Sequence, residues 1–172
     1  MYYLVVAVIM LFMINIEATI FSIIFPLMTS SNSFAVPNLA IIVLTFVCLI
    51  RDDKNIVILA FIIGFIKDVV FGYYIGLYAF SYAFIAYWAN VTFRIFIDRH
   101  VVVFIVSVIL AMVSFELLVW GINTLFGLID VSFMQAFDRY FWGSLLLGSS
   151  FAAILYGPII SMLERRGVSF YE

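Results

Sequence analysis

The chain has 172 residues, of which 67% are apolar, 19% aromatic and 10% charged, and its mean hydropathy is +1.28. A water-soluble domain runs at roughly 45–50% apolar and 25% charged, so this composition excludes one and points to an integral membrane protein. With a net charge of −2 and a pI near 5.2, the chain offers no basic surface, and nucleic acid is not an expected partner.

A spanning helix needs about 20 apolar residues, so helix breakers decide how the apolar runs divide. The first helix is expected over about 2–26; Pro26, the polar string Thr29 to Ser33 and Pro37 separate it from a second at about 36–50. Arg51-Asp52-Asp53-Lys54 makes a charged turn before a third helix at about 56–71. Gly72 and Gly76 bracket a tight turn into a fourth at about 74–96, which Asp98-Arg99-His100 ends. A fifth is expected over about 101–124. The segment 132–140 places Phe133, Met134 and Phe137 on one face with Tyr140 and Phe141, the pattern of an interfacial helix, before a sixth span at about 141–163. The expected fold is thus a single all-α bundle of about six transmembrane helices filling residues 1–172, with the short second and third segments open to re-entry.

Basic residues orient it. With the N-terminus cytosolic, the inner loops and tail hold Arg51, Lys54, Arg94, Arg99, Arg165 and Arg166, against Arg139 outside. Both termini are therefore expected in the cytosol. Met1-Tyr2-Tyr3 offers no basic n-region, which argues against a cleaved signal peptide. The one cysteine, Cys48, precludes an internal disulfide and reads as a core residue, and the one histidine, His100, reads as a solvated loop residue.

Four ionisable groups stand inside the apolar runs. Counting ~1.5 Å per residue from the cytosolic end of each helix puts Lys67 and Asp68 about 18–20 Å deep and Glu17 and Glu116 about 24 Å deep. A charge in hydrocarbon costs roughly 2.5–3.5 kcal/mol on insertion scales, so such groups face the bundle interior and pair. Lys67 can neutralise Glu17 or Glu116; Asp68 points about 100° away from Lys67 and is placed to accept from the N–H groups of the glycine turn. The cluster reads either as a fixer of helix register or as a ligand or partner site.

Two stripes are candidate partner surfaces: Ser144, Gly148 and Ala152 on the last helix, with small-residue spacing, and Tyr74, Tyr78 and Tyr82 on the fourth. Core packing within the chain is the competing account of both. No Cys/His cluster for metal, phosphate-binding glycine loop or Ser/His/Asp set is present, so neither an enzyme nor a cofactor is expected.

Pro37-Asn38-Leu39 opening one apolar helix, then a charged turn, then Gly64 and Asp68 followed by Gly72 and Gly76, together resemble the rod shape-determining MreD family over roughly residues 37–90. Each of these residues also has a local reading: Pro37 suits a first helical turn, Gly64 a close helix approach, Gly72 and Gly76 a turn. Lys67 and the tyrosines stand outside the matched pattern and take no role from it. The resemblance implies a non-catalytic scaffold of the bacterial inner membrane. It would bind an MreC-like single-span protein and, directly or through it, the elongation machinery of MreB filaments and peptidoglycan synthases, with a homo-oligomer possible. The other architecture of this type is a substrate-binding component of an energy-coupling factor transporter. Its usual alanine-xxx-alanine contact on the first helix is missing, since Ala7 and Ala18 stand eleven apart.

Overall fold

The computed structural model describes residues 2–21, 36–50, 53–72, 74–91, 101–130 and 132–164. The expected ends of the first and fourth helices, the string Thr29 to Ser33, and Arg51, Arg94, Arg99, His100, Arg165 and Arg166 lie outside them. Every described element is helical. They are α1 (Tyr2–Ile16, continued by a π-helical turn Glu17–Phe21), α2 (Leu39–Ile50), α3 (Asn55–Phe71), α4 (Leu77–Val91), α5 (Val101–Leu125), α6 (Phe133–Ala136) and α7 (Trp142–Glu164).

α2 is the centre of the bundle. From Leu39 to Cys48 every side chain is buried, and α1, α3, α4, α5 and α7 all pack on it. A helix apolar all round has no other stable place. Outside, large apolar side chains face outward on every other long helix, among them Phe12 on α1, Phe61 and Val69 on α3, Phe80 and Trp88 on α4, Leu110 on α5 and Ile154 on α7. Buried polar groups inside an apolar coat suit hydrocarbon as the surrounding solvent. Among the described residues one stretch, Ile105–Leu125 with a mean hydropathy of 2.3, is long and apolar enough by itself to cross a membrane; Tyr3–Thr19, Leu39–Leu49 and Trp142–Gly157 are apolar but shorter.

α1 and α3 run side by side in the same direction. The Tyr3 hydroxyl donates to the Asp53 carboxylate at one end. Fourteen residues further along each helix, Lys67 meets Glu17. α3 and α4 form the closest-packed pair, a helical hairpin. Gly64 lets it close: a Cβ there would stand 2.5 Å from the Tyr78 carbonyl oxygen and 2.7 Å from the Ala79 Cα, both backbone atoms.

Three expectations are corrected. Pro37 does not open a helical turn, because Asn38 adopts a left-handed backbone (φ 48°) and α2 begins after it, the Asn38 carbonyl accepting from the N–H groups of Ile41 and Ile42 at 2.9 and 3.3 Å. Asparagine tolerates that conformation better than most residues. α4 begins at Leu77 and not near Tyr74, since Tyr74 to Gly76 belong to the turn, where Gly76 takes φ 111°. Residues 132–140 are not separated from the last helix. α6 continues through the π-helical turn Phe137–Phe141 into α7 without a break, there being no proline or glycine between Phe133 and Trp142 to stop it. The rings of Phe133, Phe137 and Phe141 pack against one another along that turn in tilted and edge-on contacts, and Trp120 of α5 closes edge-on at 5.3 Å from Phe133.

Candidate functional site

The ionisable residues fall into three separate arrangements. In the first, the Lys67 ammonium donates to Glu17 Oε1 at 3.4 Å and to the Tyr82 hydroxyl at 3.1 Å. It also lies over the rings of Tyr78, Tyr82 and Phe115, with centroids 4.8, 5.5 and 6.0 Å away. Aromatic faces attract a cation, and most strongly where water is absent. Lys67, Glu17 and Tyr82 are all buried. Glu17 Oε2 is buried without a hydrogen-bond partner among the described residues.

The second arrangement is Asp68, 1% exposed. Its Oδ2 accepts from the backbone N–H groups of Gly76 and Ala79 at 3.0 and 2.9 Å, and its Oδ1 from that of Tyr78 at 2.9 Å. Those donors lead into the first turn of α4, where N–H groups have no intrahelical acceptor. A carboxylate supplied by the preceding helix thus caps α4 and sits at the positive end of its dipole.

The third lies across the bundle. Glu116 Oε1 accepts from the Asn38 side-chain amide at 2.9 Å, and the Ser144 hydroxyl faces the same carboxyl. Ser144 Oγ also accepts from the Val36 N–H at 3.1 Å. Four residues along α7, Gly148 leaves room for the Met112 side chain and the Pro37 carbonyl oxygen, which would stand 3.0 Å from an added Cβ. Segment 36–38 is therefore wedged between α5 and α7.

The structure brings Glu17 and Lys67 together and keeps Asp68 apart on the turn. It gives Glu116 to Asn38. Tyr82 and Phe115 as partners of Lys67 were missed, as was the Asn38–Glu116 bond; a polar amide and an acid, each set in an apolar run, were the only signal for the latter. The two candidate partner surfaces are corrected as continuous outward faces. Ser144 and Ala152 are 2% and 0% exposed and Gly148 is buried, all used within the chain. Tyr82 is fully buried on Lys67, Tyr78 half-buried above it, and Tyr74 alone is exposed, on the turn. Among the described residues no three His, Cys, Asp or Glu side chains are gathered to hold a metal.

The Gly64–Asp68–Gly72–Gly76 series is thus one device, a hairpin whose close approach and helix cap are made by the same short stretch. The family model of the rod shape-determining protein MreD matches residues 2–166, nearly the whole chain. The chain belongs to the MreD family. Among curated relatives, the rod shape-determining protein MreD of Bacillus subtilis (strain 168) is 31% identical over 136 residues, covering 78% of this chain and 77% of that protein. No solved structure matches. MreD proteins are bacterial membrane proteins, and the apolar exterior of this all-helical chain agrees with that setting.

Proposed function

We propose that this MreD-family chain is a non-catalytic membrane scaffold of the machinery that determines rod shape. In this reading it binds an MreC-like single-span protein and helps couple MreB filaments to peptidoglycan synthesis. The observation that carries the reading is the family match across residues 2–166. The use made of the polar groups supports a non-catalytic role: Asp68 is spent on a helix cap, Lys67 on Glu17 and Tyr82, and Glu116 on Asn38. With Ser144, Gly148, Ala152 and Tyr82 turned inward, lateral docking falls to outward small residues of α7, Ala153 and Gly157, or to the charged sequence stretches Arg51 to Lys54 and Arg94 to Arg99. Purification from a cell expressing the native partners is expected to retain a single-span MreC-like protein and no small molecule. A stoichiometric vitamin without such a partner would overturn the scaffold reading.

The proposed topology has six spans with both termini cytosolic, following the basic residues of the inner loops. The parallel run of α1 and α3 supports it, since it sets the start of α1 and residues 53–55 at one end of the bundle. A reporter active only in the cytosol is expected to work when fused after Glu172 and to fail when inserted at Ser31. Activity at Ser31 would reverse the orientation.

A further inference from the structure

We propose that the cleft between the α3–α4 turn and the end of α5 binds one acyl chain of a membrane phospholipid, with the Tyr74 hydroxyl donating to an ester or phosphate oxygen of the same lipid. The cleft encloses about 520 Å³. Tyr74, Leu77 and Phe80 line one side and Ile122, Phe126 and Leu128 the other, and no charged residue is among those lining it. A concave apolar site with a polar group at its edge is the usual form of a ligand pocket. Phe80 and Phe126 are 51% and 75% exposed, so the cleft lies open on the outer surface of the bundle.

Its dimensions and position point to a lipid. Phe80 is also the first ring of a ladder on α4, with Phe84 at 6.0 Å and Trp88 a further 6.1 Å on, centroid to centroid. From Leu77 to Trp88 the helix rises about 16 Å, half of the roughly 30 Å of hydrocarbon in a bilayer. Cleft and ladder together therefore have the depth of one leaflet. They start at the end of the bundle away from Tyr3 and Asp53, because α3 carries the chain from Asn55 beside them to the turn. At that rim Tyr74 is half exposed, and its hydroxyl has no hydrogen-bond partner among the described residues. A tyrosine there has its ring in hydrocarbon and its hydroxyl among the head groups. The Gly76 N–H, by contrast, is taken by Asp68. Large rings at every fourth position hold another helix's backbone at a distance, whereas a flexible chain can follow their faces. On the open flanks an acyl chain touches protein on one side; in the cleft it is walled by α4 and α5, and the added dispersion contacts hold it. The ligand is a component of the bilayer, so its retention leaves the scaffold reading untouched, unlike that of a water-soluble vitamin.

The test is native mass spectrometry of the full chain, taken into detergent from bilayers of phosphatidylglycerol and phosphatidylethanolamine. The chain is expected to keep one phospholipid after collisional activation has stripped the detergent. Ile122→Trp fills the cleft from α5 and should lower that retention roughly tenfold. Tyr74→Phe should lower it roughly threefold, the worth of one hydrogen bond. Ile154→Trp, on the exposed flank of α7, should leave it unchanged. If Ile122→Trp yields no folded protein, Leu128→Trp, on the loop after α5, decides in its place. A wild-type chain that keeps no lipid, or an infilled chain that keeps it as well as the wild type, would overturn the site. So would a dimer or a complex with another protein that the infilling change disrupts while lipid retention stays unmoved, since the cleft would then seat protein.

Discussion

Asp68→Ala is expected to lower the unfolding free energy of the purified chain by roughly 3–5 kcal/mol, a large part of what a domain of this size possesses. The carboxylate serves the N–H groups of Gly76, Tyr78 and Ala79 at once, and each loses its acceptor when it goes. A helix cap facing water loses about 1 kcal/mol on such a change, because water replaces the oxygen. Here Asp68 and Ala79 are buried, and the loss approaches the full cost of unmet donors. Asp68→Asn keeps one acceptor oxygen and turns an amide toward the other donors, so an intermediate loss is expected. Thermal unfolding in detergent measures both; a change under about 1 kcal/mol for Asp68→Ala would show that these N–H groups find other acceptors.

Gly64→Leu is the second large effect, with an expected loss above about 3 kcal/mol. The atoms that an added side chain meets belong to the backbone of Tyr78 and Ala79 and cannot rotate away. α3 and α4 must separate, and the dispersion contacts along their crossing weaken together. Even Gly64→Ala, which favours helix by up to about 1 kcal/mol, is expected to be a net loss, because its Cβ already lies 2.5 Å from the Tyr78 oxygen. Tyr78 and Ala79 also carry two of the N–H groups that Asp68 holds. The two changes act through the same residues, so Gly64→Ala combined with Asp68→Ala should cost less than the sum of the two. Additive losses would mean that the helix approach and the cap are independent.

The hairpin was legible in the sequence because its causes are local. A glycine four residues before an acid, then two glycines around a short turn, specifies close approach, cap and reversal within sixteen residues of chain. That Lys67 would pair with a buried acid was legible too, since a charge in an apolar run has few ways to be satisfied, whereas the choice between Glu17 and Glu116 was not. What could not be read was direction. Tyr82 and Tyr78 share a stripe that suits a partner's surface as well as it suits a buried lysine, and only the rotation of α4 about its axis decides. Ser144, Gly148 and Ala152 posed the same choice, which the Met112 side chain and the Pro37 carbonyl settle by filling the space beside Gly148. The boundary of α2 was misplaced because proline signals a helix start, whereas the chain makes its sharp bend one residue later, at a left-handed Asn38. The continuous helical run from Phe133 to Glu164 was cut in two at its aromatic stretch before Trp142.

The cap on α4 also bears on the order in which the protein is assembled. Residues 64 to 79 contain the donors, the acceptor and the glycine contact that they need, so the α3/α4 pair can complete its turn with no help from α1, α2, α5 or α7. A connection that must traverse hydrocarbon during synthesis crosses most easily when its peptide groups are already bonded to one another. Asp68 has that form within the hairpin, wrapped by N–H groups that no other helix supplies. Lys67, its neighbour in the chain, finds only neutral partners there, the Tyr82 hydroxyl and the tyrosine rings, and its acid, Glu17, lies on α1. Of two adjacent charges, one is thus satisfied inside the hairpin and the other meets its opposite charge only across to α1.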